Sequence, residues 1–372
     1  MNKTKAEDAE LQQAAILAVQ QCLRDVPFVA GLTETPGDGH RPDIVFQVTL
    51  SSREGVSQEH LIVAEVKASG QPRFARMASA VLHRHALDYT RDTNTRASGP
   101  PALLLVAPYI SEGAAAICVD EGVNYVDFAG NCRLSFDGVF IERLGHANPH
   151  KRDANRVGLY APKAERVLRA LLGLPEKVWH VRDLASEADV SIGTVVDVRR
   201  ILLDREWIQA SRDGVRLTQP EALVGEWADR YDYRRNKAHD FYSLRPVAET
   251  EGAVAAACRD TGVPYALTGF SGAARYAPFV RYQKASLYVA GDTDAIAEAA
   301  KLKRVQGGAN VTLITPYDEG VFMGSAAVGA DTVVSPLQAY LDLQNVRARG
   351  EEAAEYLYHQ KIEPIWSTRH GG

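Results

Sequence analysis

Three side chains in the N-terminal region, Asp43, Glu65 and Lys67, are of the types that can together hold a divalent cation and activate a water. Residues 61–67 read Leu-Ile-Val-Ala-Glu-Val-Lys, an apolar run of strand length. A strand alternates faces at every residue, so Glu65 and Lys67 point the same way. Asp43 follows Pro42 and opens a second apolar run, Ile-Val-Phe-Gln-Val, that ends near Leu50. If the two runs pair as a hairpin, the three side chains meet at one edge of the sheet. Two carboxylates are suitable oxygen ligands for Mg²⁺, and a lysine beside them can orient or activate the attacking water. That is the chemistry of metal-assisted phosphodiester hydrolysis. In the alternative, Glu65 and Lys67 are solvated charges on the open face of a sheet. A Glu-x-Lys triplet alone decides nothing, because it arises by chance about once in a chain of this length.

The elements around these residues follow an α/β order. Leu11, Ala14, Ala15, Leu17, Ala18 and Leu23 recur at helical spacing, and residues 72–91 read as another helix. Residues 102–107, Ala-Leu-Leu-Leu-Val-Ala, are the continuous apolar run expected of a central strand buried on both faces. Ser111 is placed to cap the following helix, with Glu112 in its first turn. A strand at 123–128 and a hairpin over 131–142 turning at Asp137-Gly138 complete a mixed sheet. Asp127 and Asn131 are of the types that fix a turn through side-chain bonds to the backbone. Residues 1–150 thus resemble the PD-(D/E)xK nucleases, whose site residues would be Asp43, Glu65 and Lys67, with Asp43 and Glu65 the metal ligands. Gln71 opens the next helix, as a glutamine does in some relatives, and serves equally as a cap or loop residue. Glu7 and Glu10 are either a further carboxylate source or a solvated helix face. His83 and His85 read as surface residues.

The chain has 372 residues, room for two or three domains, and a formal net charge of −5. Any nucleic-acid contact must therefore come from a local patch. Cys22, Cys118, Cys132 and Cys258 form no Cys-x-x-Cys pair and fall at no zinc spacing, so they read as reduced, buried thiols. The N-terminus is charged rather than a signal sequence, and no apolar run reaches the roughly 20 residues that span a bilayer. A soluble cytoplasmic protein with no membrane partner is expected.

Residues 145–158 are polar and basic and look like a linker. Three helices follow, at 163–173, 181–188 and about 191–205, with a turn over Asp189-Val190 and Ser191 as an N-cap. Val167, Leu168, Leu171 and Leu172 point inward from the first; Ile192, Val195, Val196, Leu202 and Leu203 are the apolar set of the third. Trp207-Ile208 begins a strand, Asp213-Gly214 turns, and Val215-Arg216-Leu217 returns. Residues 158–220 thus resemble a winged helix-turn-helix, whose third helix enters the major groove. The exposed positions would be Ser191, Gly193, Thr194, Asp197, Arg199 and Arg200, with Arg212 and Arg216 on the wing near phosphates or the minor groove. Ser191, Thr194, Arg199, Arg200, Arg212 and Arg216 are the candidate DNA-binding residues, and double-stranded DNA is the partner. DNA binding of this kind requires no cofactor; Mg²⁺ enters only for a nuclease. The alternative is a winged helix used for protein packing.

Residues 221–245 read as a bridge, and residues 240–372 return to α/β, with apolar strands near 263–268, 285–290, 311–315 and 331–334. The passage Leu267-Thr268-Gly269-Phe270-Ser271 resembles the Gly-Ser loop of a nucleotidyltransferase-like fold. Such enzymes need carboxylates on the next strand to clamp Mg²⁺. That strand, Ala-Ser-Leu-Tyr-Val-Ala, has none, and Asp292 and Asp294 follow it where helix caps belong. An inactive structural or binding domain is the preferred reading.

Two stretches, Gly122 to Leu134 and Leu267 to Ala274, together with the central winged helix, resemble the AbiEi-type antitoxins and transcriptional regulators of type IV toxin–antitoxin systems. The resemblance implies an autoregulatory, sequence-specific DNA-binding protein encoded beside a nucleotidyltransferase-like toxin, which it counteracts without a stable complex. The simpler antitoxins begin with the winged helix, whereas here a nuclease-like domain precedes it. The competing function is a Mg²⁺-dependent endonuclease targeted by its winged helix.

Overall fold

The structure is a computed structural model that describes residues 2–24, 26–36, 42–51, 57–91, 99–148, 158–346 and 349–367. The central part of the linker expected at 145–158 lies outside the described residues. The chain forms two compact units, Met1–Arg156 with Leu203–Glu206, and Val157–Leu202 with Trp207–Gly372.

The first unit is a seven-stranded mixed sheet with its strands in chain order: β1 (Val29–Pro36), β2 (Ile44–Ser51), β3 (Ser57–Val66), β4 (Ala102–Ala107), β5 (Asn124–Asp127), β6 (Cys132–Phe136) and β7 (Val139–Arg143). The pairs β3–β4 and β4–β5 are parallel, and the remaining neighbours are antiparallel. Helix α1 (Asn2–Leu23) covers one face, where Ala15, Val19 and Leu23 are buried with Phe46, Ile62 and Leu104. Helices α2 (Pro72–Arg91) and α3 (Glu112–Asp120) cover the other, where Ala78, Leu82 and Cys118 are buried with Val63, Leu105 and Tyr125. Alternate residues of β4 go to opposite clusters, so its continuous apolar run reflects burial on both faces. Each fully buried Leu or Phe of this kind stabilises by roughly 2 kcal/mol.

Local expectations are met at several points. Ser111 Oγ accepts from Ala114 N at 3.3 Å as the cap of α3. Asp137 and Gly138 both take positive φ in the β6–β7 turn. Asp127 accepts from Asn131 N and Ile110 N, while Asn131 bonds the backbone of His146. Strand β1 is an addition to the elements expected from the sequence. Its Gly31, Thr33 and Pro36 break the apolar alternation, and the sheet edge tolerates them because one side needs no partner strand.

The second unit opens with α4 (Pro162–Gly173), α5 (Val181–Glu187), α6 (Ile192–Asp204) and a hairpin of β8 (Ile208–Ser211) and β9 (Gly214–Leu217). This is a winged helix-turn-helix arrangement. Trp179 exchanges both backbone hydrogen bonds with Val215 and adds a third line to the wing. Gly214 has φ +137°, and a Cβ there would lie 2.6 Å from the Trp179 carbonyl oxygen, so only glycine fits. Helix α7 (Pro220–Arg230) leads into a second seven-stranded sheet.

The strands of that sheet are β10 (Lys237–Tyr242), β11 (Tyr265–Leu267), β12 (Ala285–Val289), β13 (Lys303–Arg304), β14 (Val311–Thr315), β15 (Ala326–Val328) and β16 (Asp331–Val333), in the spatial order β13-β10-β14-β12-β11-β16-β15. Helices α8 (Val247–Thr261) and α10 (Thr293–Ala299) bury Val254, Cys258 and Ile296 on one face. Helices α9 (Gly269–Tyr276), α11 (Pro336–Leu343) and α12 (Gly350–Leu357) bury Ala273, Leu343 and Leu357 on the other, and α13 (Glu363–Ser367) follows them. Residues 237–242, read as part of a bridge, form β10 by pairing with β14; Lys-Ala-His-Asp-Phe-Tyr is mostly exposed and so carries little apolar signal of a strand. No helix among the described residues is long and apolar enough to cross a membrane.

Candidate nucleic-acid interface

The acidic edge of the first unit assembles as its strand alternation requires. Ile44 pairs with Ala64, so Asp43 falls opposite Glu65, and Asp43 Oδ2 accepts from Val66 N at 2.8 Å. The Lys67 ammonium lies 3.8 Å from Asp43 Oδ2 and forms an ion pair with Glu65. Glu65 is not a solvated charge. It faces the side covered by α2, its side chain is 7% exposed, and His85 Nε2 stands 3.8 Å from its Oε1. His85 is therefore a partly buried neighbour of Glu65, not the surface residue expected. Glu7 and Glu10 are exposed on α1, and Gln71 immediately precedes α2. The carboxylates of Asp43 and Glu65 are the right donor type for Mg²⁺. Lys67, however, already supplies a positive charge to both. No group of three or more His, Cys, Asp or Glu side chains among the described residues is arranged to hold a metal.

The second unit presents the winged helix. Ser191 Oγ accepts from Thr194 N at 3.2 Å and lies 3.0 Å from Thr194 Oγ1, so both hydroxyls sit at the start of α6. Val195, Val198 and Leu202 form its buried stripe. Ile192 and Val196, named among the apolar set and not among the exposed positions, are 51% and 47% exposed. At 100° per residue they lie away from the Val195–Val198–Leu202 stripe, on a line that continues to exposed Arg200. Arg199 departs from expectation in the other direction. It falls beside the buried stripe, its Nε is buried, and it borders a cavity of about 10 Å³ with Val167, Leu171, Trp179 and Val215. Its stem packs into the winged-helix core. Arg200 is exposed and pairs with Asp197 at 3.6 Å. Arg212 and Arg216 are exposed on the wing, and Arg216 Nη2 donates to Gln209 Oε1 at 3.3 Å.

A set of buried polar residues in α4 is not foreseen from the sequence: Glu165, Arg166 and Arg169, beside the inward Val167, Leu168, Leu171 and Leu172, are all buried within the second unit. Arg166 donates to Asp318 through Nε and Nη2, and through Nη1 to Asp189 Oδ2 at 2.6 Å in the turn before α6. Glu165 accepts from Arg235 Nη1 at 3.1 Å and from the Tyr317 hydroxyl. Arg169 Nη2 donates to Gln338 Oε1 at 2.5 Å, with its guanidinium 4.8 Å from the Trp227 ring centre. Gln338 Nε2 then donates to Asp342 Oδ1 at 2.9 Å, and Thr268 Oγ1 to Asp342 Oδ2 at 2.5 Å. Burial pushes the Asp342 carboxyl up to about 6, against the opposing hydrogen bonds from Thr268, Tyr231, Tyr288 and Gln338. This line of side chains fastens the winged helix to the α/β sheet behind it.

The Gly269-Phe270-Ser271 passage lies at the β11–α9 junction, with Gly269 at φ +54°. Ser271 is fully buried, and its hydroxyl accepts from Ser286 N at 3.0 Å. Strand β12 carries no carboxylate, and Asp292 caps α10 by accepting from Asp294 N and Ala295 N. Ser271 therefore ties α9 to β12 and is closed to solvent.

Comparison with known proteins gives two likenesses. A solved structure described as EndoMS in apo form is similar over 30% of this chain and 45% of its own, at 14% identity and a TM-score of 0.19, too slight to support an assignment. No curated protein matches the chain. The second likeness begins at Arg216 in the wing and runs through α7 and most of the second sheet's layer, taking in the 267–274 stretch but not 122–134. Residues 216–363 match the family described as transcriptional regulator, AbiEi antitoxin, type IV TA system.

Proposed function

We propose that this protein is a sequence-specific DNA-binding transcriptional regulator of the type IV antitoxin kind. The observation that carries the reading is the exposed arc of α6, with Ile192, Gly193, Val196 and Arg200 outward, flanked by the wing arginines Arg212 and Arg216. A helix of this kind at the third position of a winged helix-turn-helix enters the major groove, and wing cations meet phosphates. The family match of residues 216–363 to transcriptional regulators supports the same reading. The nucleotidyltransferase-like region serves as a rigid mount for the winged helix, held through Arg166, Arg169 and Glu165. A neighbouring nucleotidyltransferase-like toxin is the proposed functional counterpart.

The first unit is proposed to be a nuclease-derived platform rather than an active enzyme. Its Lys67 ammonium pairs with Glu65 and lies 3.8 Å from Asp43, offsetting one of the two carboxylate charges, and Glu65 lies beneath α2. The meeting of these three side chains also favours a second reading, a Mg²⁺-dependent endonuclease. In it Asp43 and Glu65 would hold the ion, which would polarise a phosphodiester, and Lys67 would orient the water. Incubating the full chain with plasmid and short duplexes, with and without Mg²⁺, separates the two readings. Retardation of intact DNA supports the regulator, and Mg²⁺-dependent nicking supports the nuclease.

A further inference from the structure

The outward stripe of α6 is partly apolar. Ile192 and Val196 stand at i and i+4, so their side chains are neighbours on one face. Both are about half exposed, while the next residue on the stripe, Arg200, is exposed and cationic. Gly193, beside them on the same arc, adds no side chain. Two half-exposed β-branched residues on a surface helix otherwise forgo part of their stabilisation, since each leaves about half of its surface in water. A protein-docking face would call for a wider apolar patch. Here the pair is bordered around the helix by Gly193 and Arg200 on one side and by Arg199 on the other, with only the partly buried Leu203 two turns beyond Val196 adding apolar surface.

A major groove offers one apolar feature, the C5 methyl of thymine. We infer that Ile192 and Val196 read thymine methyl groups, so that the site bound by α6 contains A·T pairs beneath these two residues. The inference rests on the DNA-binding reading above and specifies what that reading recognises. The small Gly193 lets the helix sink far enough for short aliphatic side chains to touch a methyl. Arg200, one turn further on, reaches the adjoining phosphate or a guanine edge. The β-branched side chains are stiff at χ1, so they present their methyls with little loss of rotamer freedom.

The test begins with selection of duplexes from a random pool by the full-length protein, followed by replacement of each thymine in the selected core by deoxyuridine, which lacks only the methyl. The wild-type chain should lose affinity by roughly fourfold per contacted methyl, the value of one buried methylene-sized group. Ile192→Ala/Val196→Ala, at two exposed positions, should keep its fold by circular dichroism and bind thymine and deoxyuridine duplexes equally. Equal binding of the two duplexes by the wild-type chain, or a selected core without A·T pairs, would overturn the inference while leaving DNA binding in place. Failure of the wild-type chain to retard any duplex would overturn the DNA-binding reading itself.

Discussion

Arg166 holds Asp318 by two parallel hydrogen bonds, Nε to Oδ1 at 2.7 Å and Nη2 to Oδ2 at 3.2 Å. The third guanidinium nitrogen reaches Asp189, so one buried side chain links the second sheet's layer to the turn that aims α6. Gly320 makes room for it, since a Cβ there would lie 2.7 Å from Asp318 Oδ1 and 2.8 Å from Arg166 Cγ. Removing one member of a buried ion pair leaves an unpaired charge and costs about 3–5 kcal/mol. Arg166→Ala should therefore destabilise the second unit by that amount, whereas Arg166→Met combined with Asp318→Leu should cost clearly less. All four tryptophans, Trp179, Trp207, Trp227 and Trp366, belong to this unit, so their fluorescence during urea unfolding reports on it alone. Equal losses in the single and double variants would show that the pair is not what Arg166 contributes.

The two groups of arginines in the winged helix should behave differently. Arg212→Ala/Arg216→Ala removes exposed wing charges and should weaken binding to every duplex alike. Its salt dependence should flatten by about 1 in log–log slope for each phosphate no longer neutralised. Arg199→Ala should instead lower stability through poorer packing and leave the salt slope unchanged. Fluorescence anisotropy at several salt concentrations separates the cases; a flattened slope in Arg199→Ala would return that residue to the DNA face.

Much of this organisation is legible in the sequence, and the reasons differ by site. The meeting of Asp43, Glu65 and Lys67 follows from the period of a strand and a hairpin register, both local. The burial of Glu65 is not legible, because it depends on where α2 crosses the sheet. The helix-turn-helix and wing are carried by Ser191, Asp213-Gly214 and the spacing of apolar residues. The phase of α6 misleads because its aliphatic residues lie on two faces, and only packing against α4 and the wing selects Val195, Val198 and Leu202. The burial of the α4 charges leaves no local signal, because Glu165, Arg166 and Arg169 find partners more than sixty residues away in sequence. Strands β1 and β10 carry too little apolar alternation to be recognised before their neighbours are known.

Asp342 predicts a pH dependence. Folded, it keeps its proton up to about 6, whereas its ordinary value is 3.8. Between these values the folded chain binds more protons than the unfolded one, so stability falls as pH rises through that window. Above it the cost of holding the buried charge is on the order of 3 kcal/mol. Asp342→Asn does not titrate. The wild-type stability minus that of the variant should therefore decline from about pH 4 to about pH 7 in tryptophan-monitored unfolding, and a flat difference would rule out the raised carboxyl.

Ser271 should prove structural. Incubation of the wild-type chain with labelled nucleoside triphosphates and RNA or protein acceptors should give no product, since β12 lacks the carboxylates of a metal clamp. Ser271→Ala should destabilise by about 1 kcal/mol or somewhat more, the cost of leaving the partly buried Ser286 N–H without its acceptor. Product that disappears in Ser271→Ala would reverse this assignment.

The most direct measurement is a gel assay of the full chain with a selected duplex, with and without Mg²⁺, scoring retardation and strand breaks in the same lanes, beside Glu65→Ala. A retarded, intact duplex is expected in both conditions, with Glu65→Ala binding as well as wild type because Glu65 and the start of α6 lie in separate units. Absence of retardation, or Mg²⁺-dependent cleavage that Glu65→Ala abolishes, would contradict it.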